Sequence, residues 1–309
     1  MTFTRRKFLG TTLGAGVALA AGGCALTQPA TGKRTIVDAQ VHLWKANTPD
    51  WPWVAGTRPQ LPEPFTIERA LALMDEAGVD RVVVLPPTLS PNNDYALEAA
   101  RRYPDRFGVM GLIPLQDSKS AALLPRWKDQ PGMLGIRLSF NTPVSGKWLV
   151  DGTTDWFWPA AEKAGIPVTF AAFGNTSKFA PIAERHPGLP LMMDHMGLNS
   201  VLAREGRAAE VIAEAVALAR YPNVSVKMTN LVNASREGYP YRDLNEHLRR
   251  VFDAYGPQRC HWGTDITAAF AKATWRQRIT HVTEELTFLS EPDKDWLMGR
   301  SIRARLNWA

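Results

Sequence analysis

Short runs rich in valine, isoleucine, leucine and methionine recur along the chain, each followed by a stretch whose apolar positions return every three or four residues. The runs at 35–43, 81–86, 107–113, 134–140, 166–172, 189–195, 223–229 and 259–265 predict eight strands. Helical patterns fall near 66–77, 93–103, 119–128, 155–164, 177–185, 207–220, 241–254, 274–288 and 293–306. Linkers such as Gly78-Val79-Asp80, Ala164-Gly165-Ile166-Pro167 and Tyr221-Pro222-Asn223-Val224 punctuate the alternation. Strand and helix in turn imply a parallel sheet, and eight such units close a TIM barrel. An open doubly wound sheet is the competing architecture, but no glycine-rich phosphate loop follows the first strand. The expected fold class is therefore α/β, a single (β/α)8 TIM barrel over residues 31–309.

The first 30 residues do not fit this alternation. Thr4-Arg5-Arg6-Lys7-Phe8-Leu9-Gly10, followed by an apolar run from Thr11 to Ala21, has the form of a twin-arginine export signal, and the run is too short to span a bilayer. Ala21-Gly22-Gly23-Cys24 resembles a lipoprotein processing site with alanine in place of the usual aliphatic residue, so lipidation of Cys24 and simple cleavage nearby both stand. Residues 1–30 are read as signal peptide and linker. The mature protein is expected in the periplasm, touching the membrane only through a lipid anchor at Cys24.

Removing residues 1–23 takes away Arg5, Arg6 and Lys7 and no acid, so the formal net charge of +6 falls to +3. With no Lys/Arg stripe interleaved with aromatics, nucleic acid is not an expected partner. Cys260 would be the one cysteine besides Cys24, which excludes a disulfide framework. The 45% hydrophobic and 21% charged residues are those expected of an ordinary soluble globular protein.

Chemistry in a barrel collects where the strands end. In Val37-Asp38-Ala39-Gln40-Val41-His42-Leu43-Trp44 the period-two alternation places Asp38, Gln40 and His42 on one face. His42 on the first strand, His195 on the sixth and Asp265 on the eighth are metal-ligand types that barrel closure brings together. Two imidazoles and a carboxylate leave one position on zinc for a water, whose pKa would fall from about 15.7 to about 7. Asp265 could instead stay off the metal and act as the base. His186, His247, His261 and His281 are read as surface or packing residues. Arg137, in an apolar strand, is expected to meet either a substrate carboxylate or an internal partner, Asp265 or Asp194. Lys227 carries the same two readings. The segment 46–64, with five prolines, cannot be regular and should lie over the barrel mouth. There Trp44, Trp51 and Trp53 would form an apolar wall for a ring-shaped substrate, or a stiff loop packed on the outer helices.

With His42, Asp194-His195-Met196-Gly197 and the stretch from Tyr255 to Asp265 assembled, the chain resembles the amidohydrolase-related proteins of the amidohydrolase superfamily, in particular the branch with sugar and dicarboxylate lactonases. The resemblance runs from about residue 35 to the C-terminus. It implies a TIM barrel, hydrolysis of a lactone or small carboxylate ester, and a site at positions 40, 42, 195 and 265. It also implies that Arg137 meets substrate carboxylate. Gln40 stands where relatives carry the first histidine of a His-x-His pair; a binuclear site is not expected, and Gln40 is read as a neutral group orienting water or substrate. The expectation is a hydrolase using one divalent metal such as zinc held by His42, His195 and Asp265, or working without metal, on a small anionic or cyclic substrate. A decarboxylase of aromatic or unsaturated acids on the same barrel, or an exported ligand-binding barrel without catalysis, are the alternatives.

Overall fold

The computed structural model describes residues 33–309; the expected export signal and Cys24 lie outside the described residues. Eight strands, β1 (Val37–Val41), β2 (Arg81–Val84), β3 (Phe107–Gly111), β4 (Met133–Ser139), β5 (Val168–Ala171), β6 (Leu191–Met193), β7 (Val224–Met228) and β8 (Cys260–Trp262), lie side by side in sequence order. Each pairs in parallel with the next, which is the expected barrel. The strands are almost wholly buried because helices cover the outside and side chains fill the inside, which is why they read as continuous apolar runs.

The helices between them follow the sequence pattern where local signals agree. Helix Ile67–Ala77 begins at Thr66, whose hydroxyl accepts the Arg69 N–H at 3.2 Å, and ends at Gly78 with φ 78°. The stretch expected as a helix at 119–128 is instead a 3₁₀ run, Ser118–Asp129, with Pro125 inside it removing a donor. The two C-terminal patterns are interrupted by wider π turns, His281–Glu285 and Trp296–Arg300.

Val37, Ala39, Val83, Leu85, Met110 and Met192 form one cluster with Ile302 and Leu306. Strands β2 and β6 are not sheet neighbours, so these side chains meet across the barrel interior. The helix Ser301–Leu306 closes the amino end of that interior. From it Arg305 donates to the carbonyls of Leu191 and Asn223, and Ser301 donates to the Cys260 carbonyl at 2.6 Å. The other end stays open.

Strands β1 and β8 are joined largely through one side chain. Asp38 Oδ1 accepts the Thr264 N–H at 2.8 Å, and Oδ2 accepts the Thr264 hydroxyl and, at 2.9 Å, the Trp275 indole. Burial pushes the Asp38 carboxyl up to about 6, against these hydrogen bonds, which favour the charged form. Gly263 has to be glycine at this seam: a Cβ there would lie 2.8 Å from Ala39 N and 2.7 Å from Thr229 Cγ2.

The expectation that Asp38, Gln40 and His42 share one face is corrected here. Asp38 pairs with Val82 and Val41 with Val84, so β1 holds one residue more than β2 across that interval. Such a bulge breaks the alternation. Asp38 turns to the seam, while Gln40 and His42 both face the cavity at the open end.

Candidate active site

A cavity of about 290 Å³ opens at the carboxyl ends of the strands. Gln40, His42, Arg137, His195, Asn230 and Asp265 line it. Three of these lie in the left-handed region, His195 (φ 54°), Asn230 (φ 60°) and Asp265 (φ 48°), two or three residues beyond the ends of β6, β7 and β8. Asparagine, aspartate and histidine are the non-glycine residues that most readily take this conformation, here at three successive strand ends. The backbone is bent to aim side chains from three neighbouring strands at one space.

The hydrogen bonds around that space fix its protons. The Leu85 carbonyl lies 2.7 Å from His42 Nδ1 and can only accept, so Nδ1 carries the hydrogen and Nε2 keeps its lone pair. Lys227 can only donate, so the Gln40 atom it meets at 2.7 Å is the carbonyl oxygen and the amide nitrogen faces His195 Nε2 at 3.2 Å. An amide N–H there requires a lone pair on Nε2. His195 therefore donates from Nδ1, to the Thr229 hydroxyl at 2.6 Å. Burial lowers both imidazoles below their ordinary value of 6.5, against the pull of Asp265, so both are neutral at pH 7.

Asp265 sits between them, with Oδ1 3.5 Å from His42 Nε2 and Oδ2 3.8 Å from His195 Nε2. Its backbone N–H is held by the Gln40 carbonyl at 3.0 Å. Asp265 Oδ1 is buried without a hydrogen-bond partner. An acceptor left open beside a cavity is a place for a donor.

Behind the cavity lies a charged group. Asp194 is fully buried and accepts from Lys227 at 2.8 Å, from the Thr169 hydroxyl at 2.7 Å and from Arg137 Nε at 3.5 Å. Burial opposes its charge, but the Lys227 and Arg137 cations outweigh it and hold the carboxyl below its usual range. For Arg137 the internal partner is Asp194, which Nε meets, and the side chain also lines the cavity. For Lys227 the substrate-contact expectation is corrected. It is 1% exposed, is absent from the cavity wall, and spends its bonds on Asp194 and Gln40.

Trp44 lines the cavity, whereas Trp51 packs edge-on against Tyr95 and Trp53 donates its indole N–H to the Lys45 carbonyl. The apolar wall is thus Trp44 with Phe173, which stacks on His195 at 5.8 Å. Sequence reasoning missed Arg58 and Gln60 of the proline-rich segment, which reach the same cavity, and Thr229, which orients His195. Gln60 accepts from Thr267, tying that segment over the mouth. Its expected position was the available signal. Nothing local singles out Arg58.

A family model described as Amidohydrolase matches residues 37–301. The chain belongs to the amidohydrolase family. This amidohydrolase is 26% identical over 234 residues to the 4-sulfomuconolactone hydrolase of Rhizobium radiobacter, a match covering 74% of each chain. An amidohydrolase from Burkholderia multivorans with bound zinc has a TM-score of 0.76 at 19% identity, covering 88% of this chain and 99% of that one. The 5-carboxyvanillate decarboxylase of Sphingomonas paucimobilis has a TM-score of 0.63 at 14% identity, covering 89% of this chain and 99% of that one. These structural likenesses show a shared barrel, and family membership makes the chain an enzyme, a hydrolase.

The zinc in the Burkholderia multivorans protein raises the question of whether this amidohydrolase's donors suit a metal. His42 Nε2 and Asp265 do, by their lone pairs. His195 Nε2 does not, because its lone pair already receives the Gln40 N–H, and Gln40 shows the cavity its amide nitrogen rather than its oxygen. Among the described residues no three His, Cys, Asp or Glu side chains are placed to hold an ion. The set His42, His195 and Asp265, expected as a metal triad, does not fit a resident zinc, because Lys227 turns Gln40 the wrong way for one.

Proposed function

We propose that this amidohydrolase opens a lactone, or cleaves a closely related small carboxylate ester, with Asp265 as general base. The observation that carries this is the buried, unpartnered Asp265 Oδ1 beside the His42 Nε2 lone pair. A water lodged against both has two acceptors to donate to. Asp265 takes one proton as the water oxygen bonds to the carbonyl carbon, and the tetrahedral species collapses with cleavage of the ring C–O bond. The proton then returns from Asp265 to the departing oxygen, so the products are a hydroxy acid and the enzyme as it began.

The substrate class follows from the walls. Arg137 offers guanidinium N–H groups at the cavity, and Arg58, exposed and without an ion pair among the described residues, adds a second cation at the mouth. Trp44 and Phe173 provide flat apolar surface. A small, ring-shaped anion suits both. The likeness to a 4-sulfomuconolactone hydrolase supports a lactone over other esters. The Arg5-Arg6 stretch supports action in the periplasm after twin-arginine export, with the Cys24 site supporting a lipid anchor.

The test is turnover of a panel of carboxylated five- and six-membered lactones by the wild type and by Asp265→Asn. Product gaining the mass of one water, with kcat in the variant lower by about 10²–10⁴-fold, is the expected result. Near-wild-type turnover in the variant removes Asp265 from the chemistry, and release of carbon dioxide without ring opening makes the enzyme a decarboxylase.

A further inference from the structure

Gln40 is the position at which the chain leaves the His-x-His pattern, and its surroundings give it a part of its own. A glutamine amide is turned by whichever partner can only donate or only accept. Lys227, 187 residues away in sequence, takes the oxygen at 2.7 Å, so both N–H groups point to the rest of the site. One meets His195 Nε2 at 3.2 Å. The other has no acceptor among the described residues, and Gln40 lines the cavity. The same ammonium lies 2.8 Å from Asp194, so one buried cation is held by a carboxylate on one side and applied to the Gln40 oxygen on the other. A cation on the amide oxygen draws density away from nitrogen and strengthens the N–H as a donor, and the dry surroundings enlarge the effect.

We propose that the Gln40 amide, turned and polarised by Lys227, is a catalytic hydrogen-bond donor to the carbonyl oxygen of the substrate, with Lys227 as its positioning residue. The proposal rests on the hydrolytic reading above. When the water oxygen bonds to carbon, the π pair of the C=O group moves onto that oxygen; when the ring C–O bond breaks, the pair returns. A fixed donor gains most while the oxygen is charged, which is what lowers the barrier. The positive charge that supports the oxyanion is thus a buried ammonium acting through an amide.

Three variants and three readouts test this. Gln40→Glu keeps an acceptor for Lys227 and deletes the N–H; kcat on a carboxylated lactone should fall about 10²-fold with KM little changed. Lys227→Met should lower kcat about tenfold, the size of one lost hydrogen bond, and should shift the Gln40 side-chain amide proton in a nitrogen-15 correlation spectrum. Gln40→His should take up zinc when prepared with added zinc, while the wild type prepared alongside should stay substoichiometric by elemental analysis. Wild-type kcat in Gln40→Glu, an unmoved amide resonance in Lys227→Met, or stoichiometric zinc whose removal silences the wild type would each overturn the proposal. If Asp265→Asn is inactive while Gln40→Glu is not, this proposal fails and the hydrolytic reading stands. If no lactone is opened, that reading fails and the donor role of Gln40 with it, while the amide resonance and zinc content report separately on whether Lys227 turns Gln40.

Discussion

His195 at the open end of the barrel and His261 at its closed end are held in nearly the same way. Each is buried, and each gives its Nδ1 proton to a hydroxyl: Thr229 at 2.6 Å in one case, Ser301 at 2.8 Å in the other. Burial lowers both below the ordinary imidazole value. What separates them is the other nitrogen. His195 Nε2 faces Gln40, Asp265 and a cavity, whereas His261 stands in mid-strand against the plug made by Ser301–Leu306. A buried neutral histidine on a hydroxyl is therefore no mark of a site by itself, and the position along the strand decides whether its second nitrogen takes part in the site's hydrogen bonds.

The widest separation between the two ends should come from matched variants. His195→Asn should lower kcat by about tenfold or more, as loss of the acceptor that fixes the Gln40 amide does, besides costing the stability that its buried hydrogen bond to Thr229 contributes. His261→Asn should keep turnover per folded molecule, with stability lower by about 1–3 kcal/mol through a disturbed buried hydrogen bond. Equal loss of turnover in both would erase the distinction. Next in size, Arg305→Met should strip the donor from two carbonyls under the barrel, costing about 1–3 kcal/mol in denaturant titration with kcat preserved.

Acid should then strike both ends with one sign. His42 and His195 keep their lone pairs at pH 7 and lose them only as pH falls through values depressed below 6.5, so the acid limb of kcat/KM should lie below pH 6.5. His261, and His281 at about 4, take up protons more readily unfolded than folded, so stability also falls as pH drops below 6.5. A kinetic limb above pH 7 would contradict neutral imidazoles. The smallest effect belongs to Arg58→Ala, a rise of a few-fold in KM for an anionic lactone that added salt should erase, because an exposed cation is screened.

Much of this was legible in the chain. Each predicted apolar run overlaps a strand, and the rule that barrel chemistry lies at strand ends picked out His42, His195 and Asp265, the structure placing each histidine within 3.8 Å of Asp265. Gln40 was legible as a departure. Its orientation was not, because Lys227 reaches it from another strand. Lys227 read equally as a substrate contact or an internal ion pair, since a lysine in an apolar strand looks the same whether it faces a ligand or a buried carboxylate; the pair with Asp194 is the one found.

By itself, then, the sequence determined the repeat, the barrel and the residues at the strand ends, because period-two and period-3.6 patterns and chain reversals are local properties. Tertiary structure alone decided the bulge that parts Asp38 from Gln40, the amide face that Gln40 shows the cavity, and which of two similar histidines can act. Each of those depends on a partner tens to hundreds of residues distant, and on which donor or acceptor that partner has left to give.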